Sequence, residues 1–333
     1  MTRYLLRRAV WTALVVWAVL TLAFIVNNVV PSDPARMVAG AQARPRDVDR
    51  VREQLGLSQP IAVQYGRFMR RLVHFSTARR GDASGPHGAC ATLGWLHLDF
   101  GKSYQRRRPV VDIIGERLPR TVMLALAAML VQVVVGVGLG MLAAAKRGSL
   151  IDHASVGASL LGVSAPTFLL GLLLQFVLAH KLRLLPLDGY GSTAAEHLAC
   201  VVLPALTLGV AGAAYYTRLV RDELISVMKL DHVRTAIAKG MSPARVWFRH
   251  ALRNALVPLI TVLGLDLGAL VGGAIVTETL FRWPGIGALS VSALLDRDGP
   301  VILATVVVTS TAIVLSNVLV DASYALLDPR VKR

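Results

Sequence analysis

A carboxylic acid in the middle of an apolar run is chemically loaded, and this chain carries one at Asp266, inside Val257–Leu280. An ionisable group in a membrane-length segment is costly and ordinarily faces an interior cavity or a partner. Two readings stay open: a carboxyl exposed to a polar passage, or a buried acid that is hydrogen-bonded or protonated. Glu278 and Asp321 lie toward the ends of apolar runs, and Asn317 and Gln175 are amides within them. For the amides, bridging neighbouring helices is the default role. His87 and Cys90 are close in sequence, but a metal site needs more ligands than that, so no metal is expected. Cys90 and Cys200 are the two cysteines. They make no metal cluster and no disulfide framework; a bridge between them stays open, with two free thiols the expectation. The chain has no HExxH, no catalytic triad, no paired carboxylates and no Walker A lysine loop. GVGLG at Gly136–Gly140 lacks the strand–turn–helix context and the third glycine of a dinucleotide loop. No catalytic residue is expected, and the chain is not expected to bind and split ATP.

The elements that position these groups are apolar. Hydrophobic residues make up 54% of the 333, and the mean hydropathy is +0.57. Six stretches reach the roughly 17–25 mostly apolar residues that cross a bilayer: Ala9–Val30, Thr121–Ala145, Ala154–Ala179, Leu198–Thr217, Val257–Leu280 and Val301–Leu327. The first is too long for the apolar core of a cleavable leader and has no small-residue cleavage site before Pro31, so a retained anchor is expected. With the amino terminus cytoplasmic, the inside segments carry sixteen Lys and Arg and the two short outside loops carry four, which is the positive-inside bias. The Arg-rich loop Pro31–Leu118 exceeds the roughly 60 residues within which that rule operates. Both termini are therefore expected inside a cell membrane. The net charge of +16 is absorbed by this bias and by outer-loop arginines facing lipid or an acidic partner, not by nucleic acid.

The chain thus divides into residues 1–30, the amino terminus and first span; 31–118, an outer loop domain; and 119–333, a five-span core with a connector at 218–257. Within the outer loop, Arg46–Leu55 reads as a short helix. Ile61, Tyr65, Phe68 or Met69, and Leu72 recur at helical spacing. That amphipathic helix has two open roles, lying on the membrane or spans, or docking a partner. Ser76–Gly94, rich in Gly, Ala, Ser and charge, reads as a flexible insert. In the spans, GVGLG, LGLDLG and VGGA supply the small residues that let helices approach closely in lipid.

The connector RTAIAKGMSPARVWFRHALRNALVP, Arg234–Pro258, is basic and far longer than a link between adjacent spans requires. Asp231 is read as the N-cap of a helix His232–Lys239, with Val233, Ala236 and Ile237 as its apolar edge. Gly240 stands at the C′ position, where a left-handed residue ends a helix. Ser242 and Pro243 restart one as N-cap and N1. Trp247, Ala251 and Ala255 recur beyond them, with Val246, Phe248 and Leu252 off that line. The expectation is a helix–glycine–helix elbow with exposed apolar side chains, a docking surface.

This connector strongly resembles the cytoplasmic coupling loop of permeases in ATP-binding-cassette importers, and more narrowly the first permease of dipeptide, oligopeptide and nickel importers. The resemblance covers nearly the whole chain, through YLLRR, PSDPARMVAG, LGLSQPIAVQY, DFGKSY, ERLPRT, AAKRGSLIDH, TETLFRWPGIG and LVDASYALLDPRVK. It implies an all-α membrane protein of six transmembrane helices, with a long outer loop between the first and second and a coupling helix between the fourth and fifth. It implies an importer subunit, most naturally for peptides, with nickel chelates, glutathione or another small solute as alternative cargo. A secondary transporter driven by an ion gradient is the rival from another class. The implied partners are a second permease, two ATP-binding subunits holding ATP and Mg, an extracytoplasmic substrate-binding protein and membrane lipid. By position, Arg234, Thr235, Ala236, Lys239 and Gly240 fall on the coupling elbow, and Arg245, His250, Arg253 and Asn254 on its continuation. Asp266, Glu278 and Asn317 become pathway candidates, Asp266 as a contact for a substrate amino terminus. The Ser76–Gly94 insert and the acid at 266 depart from the family pattern.

Overall fold

The computed structural model describes residues 2–29, 34–40, 42–54, 56–75, 90–93, 96–272 and 274–327. They fall into two compact units. One comprises Met1–Pro119 with Gly285–Thr311, the other Arg120–Pro284 with Ala312–Arg333.

The first unit opens with α1 (Thr2–Val29), followed by α2 (Pro34–Ala39), α3 (Pro45–Gln54) and α4 (Ile61–Leu72). The two amphipathic helices read from the loop are α3 and α4; Leu55 lies outside the described residues. On α4, Tyr65 and Phe68 turn toward Phe24 of α1, with ring centroids 5.3 Å apart in both pairs. The Tyr65 hydroxyl meets Thr21 Oγ1 at 2.7 Å. Of the two roles left open for this helix, the structure shows packing on the first apolar helix.

Three strands follow: β1 (Val73–Phe75), β2 (Cys90–Leu93) and β3 (Leu96–Asp99), an antiparallel sheet in the order β1-β3-β2. This corrects the all-α expectation. The end of the stretch read as a flexible insert is strand β2, with Cys90 fully buried. Composition suggests disorder there, but pairing with β3 supplies the hydrogen bonds that order it. His87 lies outside the described residues. Asp298, itself buried, gathers the DFGKSY loop: it accepts from the Ser103 hydroxyl, from Tyr104 N at 3.1 Å and from Gln105 N at 3.4 Å. Burial pushes the Tyr104 phenol above its ordinary pKa. Helix α13 (Ile286–Leu295) packs Ile286, Leu289 and Ala293 against Val110, Ile113 and Ile114.

The second unit is built from long apolar helices. Helix α5 (Val110–Ala145) begins in the first unit and runs on through Pro119. The run read as one span, Ala154–Ala179, is broken: α6 (Leu150–Ser164) and α7 (Thr167–Leu174, continued by a π-helical turn Gln175–Lys181) meet at 106°. Pro166 is the physical reason. It has no N–H to donate and holds the preceding Ala165 in extended backbone, φ −76° and ψ 133°. Helix α8 (Ala194–Val227) exceeds its expected limits at both ends. The fifth run divides into α11 (Arg253–Val271), which ends at Gly272, and α12 (Ile275–Leu280). Helix α14 (Gly299–Leu327) closes the fold. Glycine sets the spacing between these helices. A Cβ at Gly136 would lie 2.5 Å from Tyr216 Cβ, and one at Gly264 2.0 Å from Val320 Cγ2.

Among the described residues, three helices are long and apolar enough to cross a membrane, or up to five if each of two bent pairs counts as one span. Within α1 the apolar stretch Val10–Ile25 is shorter than that measure.

Candidate functional site

The connector is an elbow, and it is anchored. Helix α9 (Asp231–Ala238) starts one residue earlier than read: Leu230, already extended at ψ 148°, is its N-cap. Asp231 therefore sits in the first turn, where a carboxylate favours the helix dipole, and does not cap. Gly240 is left-handed at φ +74°, as its C′ position requires. A Cβ there would meet nothing within 4 Å, so backbone conformation alone selects glycine. Helix α10 (Pro243–Arg245) begins after Ser242 with Pro243 at N1, although the Ser242 side chain makes no capping bond. It continues as a π-helical segment, Val246–Leu252, into α11. That widened turn is invisible to a 3.6-residue pattern, which is why the stripe Trp247, Ala251, Ala255 reads as weak.

The inner face is a single core. Val233, Ala236, Val246, Ala251, Ala255 and Leu259 are buried against Tyr216, Val220, Leu224 and Val227 of α8. A second tie crosses the elbow, from Asn254 Nδ2 on α11 to His232 Nε2 on α9 at 3.0 Å. Asn254 also donates to the His250 carbonyl at 3.1 Å, and Thr235 Oγ1 to the Asp231 carbonyl at 2.8 Å. Of the sequence-derived coupling residues, Arg234, Thr235, Lys239, Gly240, Arg245, Arg253 and Asn254 are exposed; His250 is half-buried and Ala236 buried. Ala236 thus belongs to the core and offers no contact surface. Of the expected apolar edge, Val233 and Ala236 turn inward, but Ile237 is 52% exposed, as is Phe248 at 63%. From Asp231 to Leu256 the surface carries five Arg or Lys against one carboxylate.

The pathway candidates differ in burial and in partners. Tyr216 donates its hydroxyl to Asp266 Oδ2 at 2.5 Å, and Asp266 is half-buried on α11. Glu278 is fully enclosed and accepts from Thr121 Oγ1 at 2.9 Å. Beside it Trp283 is equally buried, its Nε1 donating to the Arg120 carbonyl at 3.0 Å. Glu278 is thus enclosed beside the TETLFRWPG turn. Asn317 is half-buried on α14. Gln175 bonds a loop carbonyl, that of Leu187, at 3.0 Å. The side chain of Asp321 lies outside what is described. Neither Cys90 nor Cys200 is in a disulfide.

Sequence reasoning missed the ion pair Arg221–Asp152, at 2.5 and 2.9 Å, which ties the first turn of α6 to α8. Asp152 also accepts from Gly148 N at 2.9 Å. The motif AAKRGSLIDH was visible, but its partner stands 69 residues away.

Comparison with known proteins decides the class. Residues 136–333 match the family described as the binding-protein-dependent transport system inner membrane component, and residues 1–125 match its amino-terminal counterpart. The chain belongs to this family. It is a membrane-embedded permease subunit of an ATP-driven importer, in a family of transport components and not of ATPases. A protein of Sinorhizobium fredii named a probable peptide ABC transporter permease is 38% identical over 332 residues, covering 99% of each chain. The glutathione transport system permease of Escherichia coli K12 is 36% identical over 332 residues, covering 100% of this chain and 99% of its own. Among solved structures, the methionine ABC transporter MetNI in an inward-facing form matches with a TM-score of 0.54 at 18% identity. That match covers 66% of this permease and 98% of the other chain, and speaks to the fold alone.

Proposed function

We propose that this permease forms half of a pathway for short peptides and that its elbow, α9 to α10, receives the stroke of an ATP-binding subunit. In this reading six spans cross the cell membrane with both termini cytoplasmic. A second permease completes the pathway, two ATP-binding subunits hold ATP and Mg, and an extracytoplasmic binding protein delivers cargo. Relatives named for peptides and for glutathione share one cargo chemistry, a short chain with a free amino group and carboxylate. The observation that carries the coupling role is the buried face of the elbow. Val233, Ala236, Val246 and Ala251 share one core with α8 and α11, so a displacement of the elbow moves two membrane helices as a body. Close-packed interiors transmit strain and do not absorb it. The outer face offers Arg234, Lys239, Arg245 and Arg253 around exposed Ile237 and Phe248, a basic rim about apolar anchors that suits an acidic groove.

The test is mild-detergent co-purification of ATP-binding subunits with the tagged permease. The double variant Arg234→Glu, Phe248→Asp should insert normally and lose at least about tenfold in recovered ATPase, the scale of one hot-spot contact. Undiminished recovery would sink the docking surface. For the pathway, Asp266→Asn keeps an acceptor for the Tyr216 hydroxyl and removes only the charge. Peptide uptake by the reconstituted importer should fall while the permease remains folded, and full uptake across a peptide series would remove Asp266 from the pathway.

A further inference from the structure

The small sheet of the first unit carries a feature unrelated to coupling. β1 and β3 pair His74 directly with His97, and β3 and β2 pair Asp99 with Cys90. Side chains alternate across a strand, so residues 97 and 99 share a face. The register therefore places His74, His97 and Cys90 on that one face, one from each strand. Their side chains converge: one ligand-capable atom from each lies within 4.8 Å of the other two. Cys90 Sγ is 3.9 Å from His74 Nε2, and the two imidazole centroids are 5.3 Å apart. Cys90 and His97 are fully buried, and His74 is half-buried at the rim.

We propose that His74, Cys90 and His97 form a binding site for a borderline-soft divalent cation of the zinc type, which pins the three strands to one another. The donor set, one thiol and two imidazoles, is that of zinc sites and not of calcium or magnesium, which take oxygen ligands. The spacing suits it. Zn–S near 2.3 Å and Zn–N near 2.0–2.1 Å at tetrahedral angles separate a sulfur and a nitrogen ligand by about 3.6 Å, close to the separation seen here. The orientation suits it too. His74 Nδ1 lies 3.1 Å from the Arg71 carbonyl, a bond in which Nδ1–H donates, so that Nε2, the nitrogen facing Cys90, keeps its lone pair. A ligating histidine is characteristically oriented this way by its other nitrogen. Three protein donors leave a fourth position on the His74 side for water or an exogenous ligand. Binding displaces the thiol proton, because the thiolate is the ligand.

The experiment uses the full permease, purified with its partner subunits through a tag free of histidine, and titrated with Co2+ and then Zn2+. Expected are one equivalent of Co2+ with tetrahedral d–d absorption and a thiolate-to-cobalt charge-transfer band, both displaced by Zn2+. Cys90→Ser should abolish the charge-transfer band and Cys200→Ser leave it intact. His74→Ala, at the rim and so least damaging to the fold, should weaken Co2+ affinity at least about tenfold, the scale of losing one well-oriented ligand contact. Because Cys90 is buried, a second readout guards against a misfolded variant: in the unaltered protein Zn2+ should slow alkylation of Cys90 at least about tenfold, and leave Cys200 unaffected. No thiolate band in the unaltered protein, or metal uptake unchanged in both Cys90→Ser and His74→Ala, would overturn the site.

Discussion

The elbow and the small sheet solve the same problem, holding a short segment rigid, by opposite means. In the elbow the rigid element is local. A left-handed Gly240, a proline at N1 and an apolar inner face on α9 all lie within about two dozen residues, and the core they reach is already built from α8 and α11. In the sheet nothing local suffices. β1 has three residues and β2 and β3 four each, well under the length at which strands stand by themselves, and the stretch between β1 and β2 is rich in Gly, Ala and Ser. Such a sheet is held by polar contacts in and around it: Arg71 of α4 with Asp99 at 2.9 Å, the Asp99 acceptance from Gly101 N at 2.7 Å and the cluster of His74, Cys90 and His97. The contrast teaches that the elbow, proposed above to take up the stroke, is held by apolar burial. The sheet, with too little apolar area, is held by polar contacts, to which the proposed cation would add.

The comparison breaks most sharply at Val233. Placing a carboxylate there, by Val233→Asp, removes a buried side chain worth roughly 1.5–3 kcal/mol and puts an unpaired charge in its place. The elbow should come off its core with a loss of about 4 kcal/mol of local stability. Hydrogen exchange should rise across residues 231–256 and ATPase recovery collapse, while the sheet stays protected. If exchange in the elbow does not change, its rigidity does not come from that core. The second probe acts on the other region. Adding Zn2+ at a hundredfold excess over its dissociation constant should stabilise the sheet by about 2.7 kcal/mol, and chelation should reverse this. The readout is exchange at β1 to β3, with no change expected in the elbow. The smallest effect belongs to Gly240. Nothing lies within 4 Å of a Cβ there, so Gly240→Ala carries only the left-handed penalty of about 1 kcal/mol. A far larger loss of stability would mean that a steric contact, not the turn geometry, selects glycine.

How much of this was legible from the residues varies with distance along the chain. The left turn at Gly240 and the helix restart at Pro243 follow from two residue types with unusual backbone preferences, and both stand where they were read. The N-cap did not: Leu230 takes the place read for Asp231, because capping depends on backbone angles that a favourable residue type does not guarantee. The break at Pro166 could have been read from the same rule that located Pro243, and was hidden by the apolar run around it. The partners of Asp266 and Glu278, Tyr216 and Thr121, lie 50 and 157 residues away, so no spacing rule reaches them. The metal-type cluster left a faint trace in LVHF and WLHLDF, two histidines flanked by apolar residues in short alternating stretches, but only strand pairing makes them neighbours.

By itself the sequence determined the class of element and its medium: long apolar helices for a bilayer, a basic elbow between two of them, and a family signature running from end to end. Those are properties of residue type and period, which are local and additive. Only the tertiary structure decided which polar groups meet, that the elbow shares one core with α8 and α11, that Ala236 faces in and Phe248 out, and that three residues from three strands converge on one point. Such choices depend on register and helix rotation, where a shift of one residue exchanges inside for outside, and that is settled by the competition of all the packing contacts at once.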